Sequence, residues 1–239
     1  MNTRRLNYLK AMDIDVWVRR DRPEPGVGTA VANSGSPVLP IQDQPDPLAT
    51  TSWDQLADMV RHCTRCDLHS SRKQTVFGTG NLRAEWMIIG EAPGADEDTQ
   101  GEPFVGRAGQ LLNSILQAMG FPREQVYIAN VLKCRPPGNR DPKPDEAACC
   151  APYLARQIEL VNPRMILCLG RIAAQNLLNT ETPIGKLRGQ LHHLGEKQRP
   201  VVVTYHPAYL LRSPGEKRKV WQDLRFALAA YAQTRPRSA

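Results

Sequence analysis

Four cysteines constrain the fold of this chain more than any other feature, because they lie far apart in sequence and suit one shared site. Cys63 and Cys66 form a C-x-x-C motif, in which two thiolates can reach one metal centre from a single turn. Cys134 and Cys150 follow much later, so the fold must bring the second pair to the first. Four thiolates are typical ligands of a zinc ion or of an iron–sulfur cluster, and the spacing leaves both open.

The composition favours a folded protein of the cytoplasm. Hydrophobic residues make up 41% of the 239 positions, enough for a substantial core. No uncharged apolar run approaches the roughly 20 residues that span a bilayer, and the N-terminus lacks a signal-peptide segment, so we expect no membrane partner. Six cysteines in such a protein favour metal binding or catalysis over disulfides. The net charge of +7 fits a polyanion such as nucleic acid, although it also serves solubility alone.

The chain divides into an N-terminal tail and one folded domain. Residues 1–20 have the apolar spacing of a short amphipathic helix. Residues 21–52 are rich in Pro, Gly, Ser and Asp without any period, which predicts a flexible linker. The domain then covers residues 53–239, and Ser52 is a plausible N-cap for its first helix.

Within the domain, apolar strand-like segments alternate with segments of helical period. This alternation predicts an α/β fold of three layers, in which helices cover both faces of a central four-stranded parallel sheet. The predicted strands are 85–91, 125–134, 164–170 and 200–207, and the main helices are 105–120, 145–161, 171–179 and 215–233. Pro152 suits its helix only in the first turn. Ligands of such sheets bind beyond the carboxyl ends of the strands, where Glu91, Asn130, Gly170 and His206 lie.

Residues at these strand ends form a candidate site, each with a purely structural alternative. Glu91 lies in a GEAPG turn whose backbone N–H groups can face a ligand. The structural alternative is that this turn is an ordinary connection between a strand and a helix. Phe104 follows among glycines, where a planar ligand can stack on its ring, or it belongs to the core. Asn130 offers a donor and an acceptor together, as reading a nucleobase edge requires, or it caps a turn. His206 is an acid or electrostatic group, or a structural histidine.

Five motifs in this order resemble the uracil-DNA glycosylase superfamily, and most closely its family 4, the iron–sulfur uracil-DNA glycosylases. They are CTRCDL, GEAPGADEDTQGEPFVGRAGQLLN, ANVLKCRPP, CLG and HPAYLLR, and they extend from about Trp53 to the C-terminal helix. The resemblance implies one [4Fe–4S] cluster rather than zinc, and the family spacing selects Cys150 over the adjacent Cys149. The implied cluster ligands are Cys63, Cys66, Cys134 and Cys150.

The resemblance also implies a function in base excision repair. The enzyme would flip uracil out of single- or double-stranded DNA and hydrolyse its N-glycosidic bond, which leaves an abasic site. Phe104 would stack on the base and Asn130 would read its Watson–Crick edge. Backbone groups of Glu91, Ala92 and Pro93 would complete the wall of the pocket.

Roles in catalysis and DNA binding follow from the same resemblance. His206 would stabilise negative charge on the uracil oxygen. Glu91 would orient the water and offset the cationic sugar, with Glu97 as the second candidate and as a group that excludes the thymine methyl. An apolar wedge and phosphate contacts would come from Tyr209, Leu210, Leu211 and Arg212, followed by Lys217, Arg218 and Lys219.

Three alternatives stay open at this point. The chain could be a non-catalytic iron–sulfur DNA-binding module, a glycosylase for another deaminated base such as hypoxanthine or xanthine, or a redox protein. The loop RPPGNRDPKP lacks the histidine through which a related branch bonds to the abasic sugar, so we expect turnover without covalent trapping. We expect no obligate protein partner, and a partner for residues 1–51 is unknown.

Overall fold

The computed structural model describes residues 48–234. The predicted helix 1–20 and most of the predicted linker lie outside these residues. Among the described residues, no helix is both long and apolar enough to cross a membrane. The helices are α1 (Trp53–Arg61), α2 (Ala95–Gln100), α3 (Arg107–Ala118), α4 (Pro144–Val161), α5 (Arg171–Leu178), α6 (Ile184–Leu187), α7 (Pro207–Arg212) and α8 (Lys217–Thr234). The strands are β1 (Thr79–Gly80), β2 (Trp86–Gly90), β3 (Tyr127–Asn130), β4 (Met165–Leu169), β5 (Leu191–Leu194) and β6 (Arg199–Thr204).

The sheet has six strands in the order β1-β3-β2-β4-β6-β5. Its four central strands are parallel and correspond to the four predicted ones, which confirms the α/β fold. The edge strands β1 and β5 pair antiparallel and extend the predicted four strands to six. The sequence did not indicate them, because β1 has only two residues and β5 is the half-exposed, polar segment LHHL.

Helices cover both faces of the sheet, as the three-layer prediction requires. Successive side chains of a strand point to opposite faces, so Ile89 packs on one side and Ile88 on the other. The Ile89 side is covered by α4 and α5, and the Ile88 side by α3 and α8. Because both faces are buried, the central strands consist of continuous apolar residues.

Helix α4 begins one residue earlier than predicted and contains two prolines. Pro144 occupies the first turn, where a missing N–H costs nothing, and the Glu146 carboxylate accepts a hydrogen bond from the Lys143 amide at 2.8 Å. Pro152 lies inside the helix, so the condition under which the sequence tolerated it, a place in the first turn, is not met. Cys150 lies on the buried face of this helix.

Candidate active site

A cavity of about 400 Å³ opens at the carboxyl ends of β2, β3 and β6. It gathers every residue predicted to bind or convert the substrate. Those residues are Glu91, Ala92, Pro93, Glu97, Phe104, Asn130 and His206. We call it the active-site cavity. A larger, mostly apolar cavity of about 650 Å³ lies between α4, α5 and the β5–β6 turn, and none of the predicted site residues lines it. We call this second one the α4–α5 cavity.

Glu91 lies directly after β2, half-buried in the cavity wall. Burial, and to a smaller extent the charge of the nearby Asp141, raises the pKa of its carboxyl to about 7, while Arg171 opposes both. Asp141 and Arg171 themselves form an ion pair of 2.7 Å. Glu91 therefore changes its charge near neutral pH, as a group that acts on a reacting water can do.

Glu97 lies one helical turn into α2 and organises the backbone around the cavity. Its carboxylate accepts hydrogen bonds from the amides of Gly94 at 3.1 Å, Val105 at 3.0 Å and Gly106 at 3.2 Å. One side chain thus joins the GEAPG turn to the stretch that carries Phe104. Since three amides already share its two oxygens, Glu97 is better suited to holding backbone than to orienting water.

The Phe104 ring lies close to β2 because Gly90 has no side chain. A Cβ at Gly90 would lie 2.6 Å from Phe104 Cζ and would also collide with Asn130 Oδ1. The ring is 6% exposed, and its centroid lies 5.5 Å from that of His206 with 31° between the planes. Phe104, Asn130 and His206 therefore meet at one place, where a planar ligand can be held between rings and an amide.

Asn130 ends β3 with its side chain in the cavity wall and only 2% exposed. Its backbone carbonyl accepts a hydrogen bond from Lys133 Nζ at 2.8 Å. Within residues 48–234, its side-chain oxygen is buried without any hydrogen-bond partner. Such an unsatisfied acceptor is costly, and a donor on a bound ligand would remove that cost.

His206 is the N-cap of α7, and its hydrogen bonds define its proton. Its Nδ1 accepts a hydrogen bond from the Ala208 amide at 3.2 Å, so the proton of the neutral ring is on Nε2. Burial, with a smaller contribution from the positive charge of Arg212, lowers the pKa of the ring to about 4. At neutral pH His206 is therefore an uncharged donor in the cavity.

The segment after His206 divides into a buried and an exposed part. Tyr209 and Arg212 line the mouth of the cavity, and the exposed fractions of Tyr209 and Leu211 are 36% and 39%. Leu210 is 1% exposed and packs in the core, so the prediction that it contacts DNA does not fit this conformation. Lys217 and Arg218 are exposed at the start of α8.

Several residues around the cavity were not identified from the sequence. Asn139, Arg140 and Asp141 line it from the proline-rich loop between β3 and α4. The only signal was the position of that loop directly after the strand that ends at Asn130. Arg123, which holds the backbone at Phe104, lies outside every motif.

The four cysteines, which are distant in sequence, come together in the fold, close enough to influence one another's pKa. Cys134 and Cys150 are buried, and Cys63 and Cys66 are half-buried. Burial, and to a smaller extent the charges of Cys66 and Cys63, raises the pKa of the Cys134 thiol, while Arg72 Nη1, at 3.1 Å from its sulfur, opposes this. Burial, with small contributions from Cys134 and Cys66, raises the pKa of Cys150 to about 11, while Lys133 opposes this.

Two observations bear on what this cysteine cluster can hold. The neighbouring Cys149 thiol donates to the Arg65 carbonyl at 3.2 Å, whereas Cys150 lies among the other thiols. Between residues 48 and 234, no three His, Cys, Asp or Glu side chains converge closely enough for a single metal ion. Cys168 is separate, since it is buried within β4.

Comparisons with known proteins agree with this architecture. The model of the uracil-DNA glycosylase superfamily matches residues 77–225. The type-4 uracil-DNA glycosylase of Archaeoglobus fulgidus is 46% identical over 180 residues, which cover 73% of this chain and 90% of that protein. That of Saccharolobus solfataricus is 45% identical over 179 residues, or 72% and 83% of the two chains. A type-5 uracil-DNA glycosylase of Pyrobaculum aerophilum is 28% identical over 66% of this chain and 83% of its own length. The chain therefore belongs to the uracil-DNA glycosylase superfamily and, within it, to the type-4 uracil-DNA glycosylases.

Proposed function

We propose that this protein releases uracil from DNA by hydrolysing its N-glycosidic bond, as a step of base excision repair, and that the active-site cavity receives the flipped base. The buried, unpartnered side-chain oxygen of Asn130 carries this assignment. It needs a donor, and the N3–H of uracil is one. Cytosine has a lone pair at that position, so the same oxygen would repel it.

The rest of the cavity fits a flat pyrimidine. The Asn130 amide nitrogen can donate to uracil O4 while the oxygen accepts from N3, which reads two neighbouring groups of the base edge. Phe104 provides a ring face next to this amide. The backbone of Glu91, Ala92 and Pro93 closes the wall. These contacts pay back the unstacking that a flipped base requires.

His206 has the protonation state that cleavage of the glycosidic bond requires: a neutral ring with its proton on Nε2. As the bond between C1′ and N1 breaks, negative charge grows on the uracil oxygens and positive charge on the sugar. The Nε2–H of neutral His206 can donate to the developing oxyanion, and one such donor contributes roughly 3–4 kcal/mol to transition-state stabilisation. The Ala208 amide fixes the tautomer that makes this donation possible.

Glu91 is the carboxylate that we assign to the water. When ionised, it can accept a proton from the attacking water and offset the charge of the sugar. Glu97, the second candidate from the sequence, has its oxygens committed to three backbone amides. We therefore give Glu97 the role of holding the loop, which also keeps the space for a thymine methyl small.

Tyr209, Leu211 and the basic residues beside them would contact the DNA. An exposed apolar pair next to the cavity can occupy the space that the flipped base leaves in the stack. Arg212, Lys217 and Arg218 can neutralise the neighbouring phosphates. Leu210 would support this segment from the core.

We also propose that Cys63, Cys66, Cys134 and Cys150 bind one [4Fe–4S] cluster. The thiols are close enough to influence one another's pKa, and four cysteine thiolates are the usual ligands of such a cluster. The cluster would join the end of α1, the loop after β3 and α4. Hydrolysis transfers no electrons, so its part would be in the fold or in DNA contact. Cytoplasmic location and the absence of an obligate protein partner stay predictions from the sequence.

Variants of two adjacent cysteines test the cluster. Cys150→Ser should remove iron and the visible absorbance of the purified protein, whereas Cys149→Ser should retain both. One zinc per chain, or loss of iron in the Cys149 variant alone, would contradict the assignment.

An excision assay tests the activity and the role of Asn130 together. A labelled oligonucleotide with one uracil is incubated with protein in EDTA and then cleaved by alkali at abasic sites. We expect cleavage with wild type and with Asn176→Ala, whose amide donates to the Ile172 carbonyl, and little with Asn130→Ala. Uncleaved DNA with iron-loaded wild type would refute the uracil assignment. Oligonucleotides with hypoxanthine belong in the same assay, because that base has a similar donor and acceptor edge.

A further inference from the structure

Phe104 has a backbone conformation that a large side chain rarely adopts. Its φ is +56°, in the left-handed region where a bulky residue is a true outlier. Such a conformation persists only when surrounding contacts hold it, and it is often found at ligand sites. The ring that is proposed to stack on uracil therefore depends on contacts to its own main chain.

The amides that follow Phe104 are held by Glu97. Its Oε1 accepts hydrogen bonds from Val105 N at 3.0 Å and from Gly106 N at 3.2 Å. Its Oε2 accepts from Gly94 N at 3.1 Å, so the same carboxylate is fixed to the turn after β2.

The carbonyls on the other side are held by Arg123, which does not line the active-site cavity. Its Nη2 donates to the Pro103 carbonyl at 2.6 Å, and its Nη1 to the Phe104 carbonyl at 3.4 Å. Asn113 Oδ1 accepts from the same Nη1 at 3.1 Å and orients the guanidinium. Gly109 allows α3 to approach, because a Cβ there would collide with the Phe104 carbonyl oxygen.

We infer that Arg123 is a positioning residue for uracil excision, which acts with Glu97 to hold Phe104 in the conformation that presents its ring to the base. We call the pair the Phe104 clamp. The inference rests on the proposed function, in which Phe104 stacks on uracil. A guanidinium suits this position because its planar fork can donate to two carbonyls and an amide oxygen at once, and a lysine ammonium lacks that geometry.

The clamp makes a prediction about loop dynamics that does not involve substrate. In Arg123→Met, the amides of residues 104–109 should exchange with deuterium at least tenfold faster than in wild type. The matched control is Arg156→Met. Arg156 is also half-buried and donates to one backbone carbonyl, that of Thr51, at 2.9 and 2.7 Å, but it lies on α4 away from the cavity. Its loss should leave exchange at 104–109 unchanged.

Kinetics on the holoenzyme provide the second readout. Arg123→Met should raise the KM for a uracil-containing oligonucleotide and the inhibition constant of free uracil by about tenfold, because a loosened ring stacks less well on the base. Arg123→Lys should lie between wild type and the Met variant. Guanidinium ion at concentrations that do not unfold the protein should partly restore the KM of Arg123→Ala and have no effect on Arg156→Ala.

The two measurements distinguish a failure of the clamp hypothesis from a failure of the proposed function. If Arg123→Met and Arg156→Met give the same exchange at 104–109, the clamp is refuted, whether or not uracil is released. If exchange rises but KM and uracil inhibition stay at wild-type values, Arg123 is purely structural and the inference is overturned. If wild type releases no uracil, the proposed function fails, and the positioning role fails with it.

Discussion

The active-site cavity and the α4–α5 cavity differ in size and in the state of the groups around them. The α4–α5 cavity is larger, about 650 Å³, but small and apolar side chains form most of its wall. The active-site cavity has about 400 Å³ and contains a carboxyl with a pKa near 7, a neutral buried histidine and an amide oxygen without a partner. Perturbed and unsatisfied polar groups cost stability, so their concentration at one cavity indicates function better than volume does.

The largest expected difference in kcat is between a histidine variant in the active-site cavity and one on the exposed surface. His206→Ala should lower kcat for uracil excision by about 10²–10³-fold, or roughly 3–4 kcal/mol, because the donor to the developing oxyanion is lost. The control is His193→Ala on the exposed edge strand β5, which should retain wild-type kcat. Single-turnover rates with saturating enzyme measure both. An intact rate in the His206 variant would remove His206 from the mechanism.

Filling each cavity with the same substitution tests the comparison directly. Ala108→Leu on α3 would occupy the active-site cavity and should lower kcat/KM at least tenfold, which is about 1.4 kcal/mol. Ala155→Leu on α4 would occupy the α4–α5 cavity and should change kcat/KM less than twofold. Both alanines are helical, and leucine suits helices, so the backbone cost is similar. Thermal unfolding of both variants checks that they fold. Equal losses of activity would show that the larger cavity also serves the reaction.

The sequence was sufficient to predict the parts of the fold that rest on continuous apolar strands. The segments around Ile88, Ile128, Leu167 and Val202 are buried on both faces, and this is what makes a parallel central strand recognisable. The edge strands were missed because short or half-exposed pairing leaves no such pattern.

Site residues at the ends of strands could be predicted from the sequence. Residues that hold the backbone of other segments, or that act on distant charges, could not. Glu91, Asn130 and His206 follow strands directly, so topology alone brings them together. Arg123 and Asp141 act across the fold, through carbonyls and charges of segments distant in sequence. Nothing in a single sequence reports that Leu210 faces inward while Leu211 faces outward, since that depends on how α7 packs.

The smallest expected effect on activity comes from the ionisation of Glu91. It tests whether the charged groups around the active-site cavity control the reaction. The carboxyl pKa is raised to about 7, by burial first and by Asp141 second, so the acid form dominates below pH 7. If the ionised form serves the water, excision should rise about tenfold from pH 6 to pH 8. The pKa of His206 is about 4, so that residue stays neutral throughout and does not contribute to the profile.

Charge variants assign this profile to its source. Asp141→Asn removes a negative charge and should move the midpoint to lower pH, whereas Arg171→Gln removes an opposing positive charge and should move it to higher pH. Glu159→Gln, which alters a carboxylate at the α4–α5 cavity, should leave the midpoint in place. Single-turnover rates of all four proteins are measured between pH 5.5 and 8.5, about one and a half units on either side of the midpoint.

A midpoint that stays the same in both the Asp141 and the Arg171 variant would mean that another group titrates. The water would then need a different carboxylate. A midpoint that moves in both directions as expected would show that Asp141 and Arg171 bias the charge of Glu91 in opposite directions, whereas Glu159 at the α4–α5 cavity takes no part.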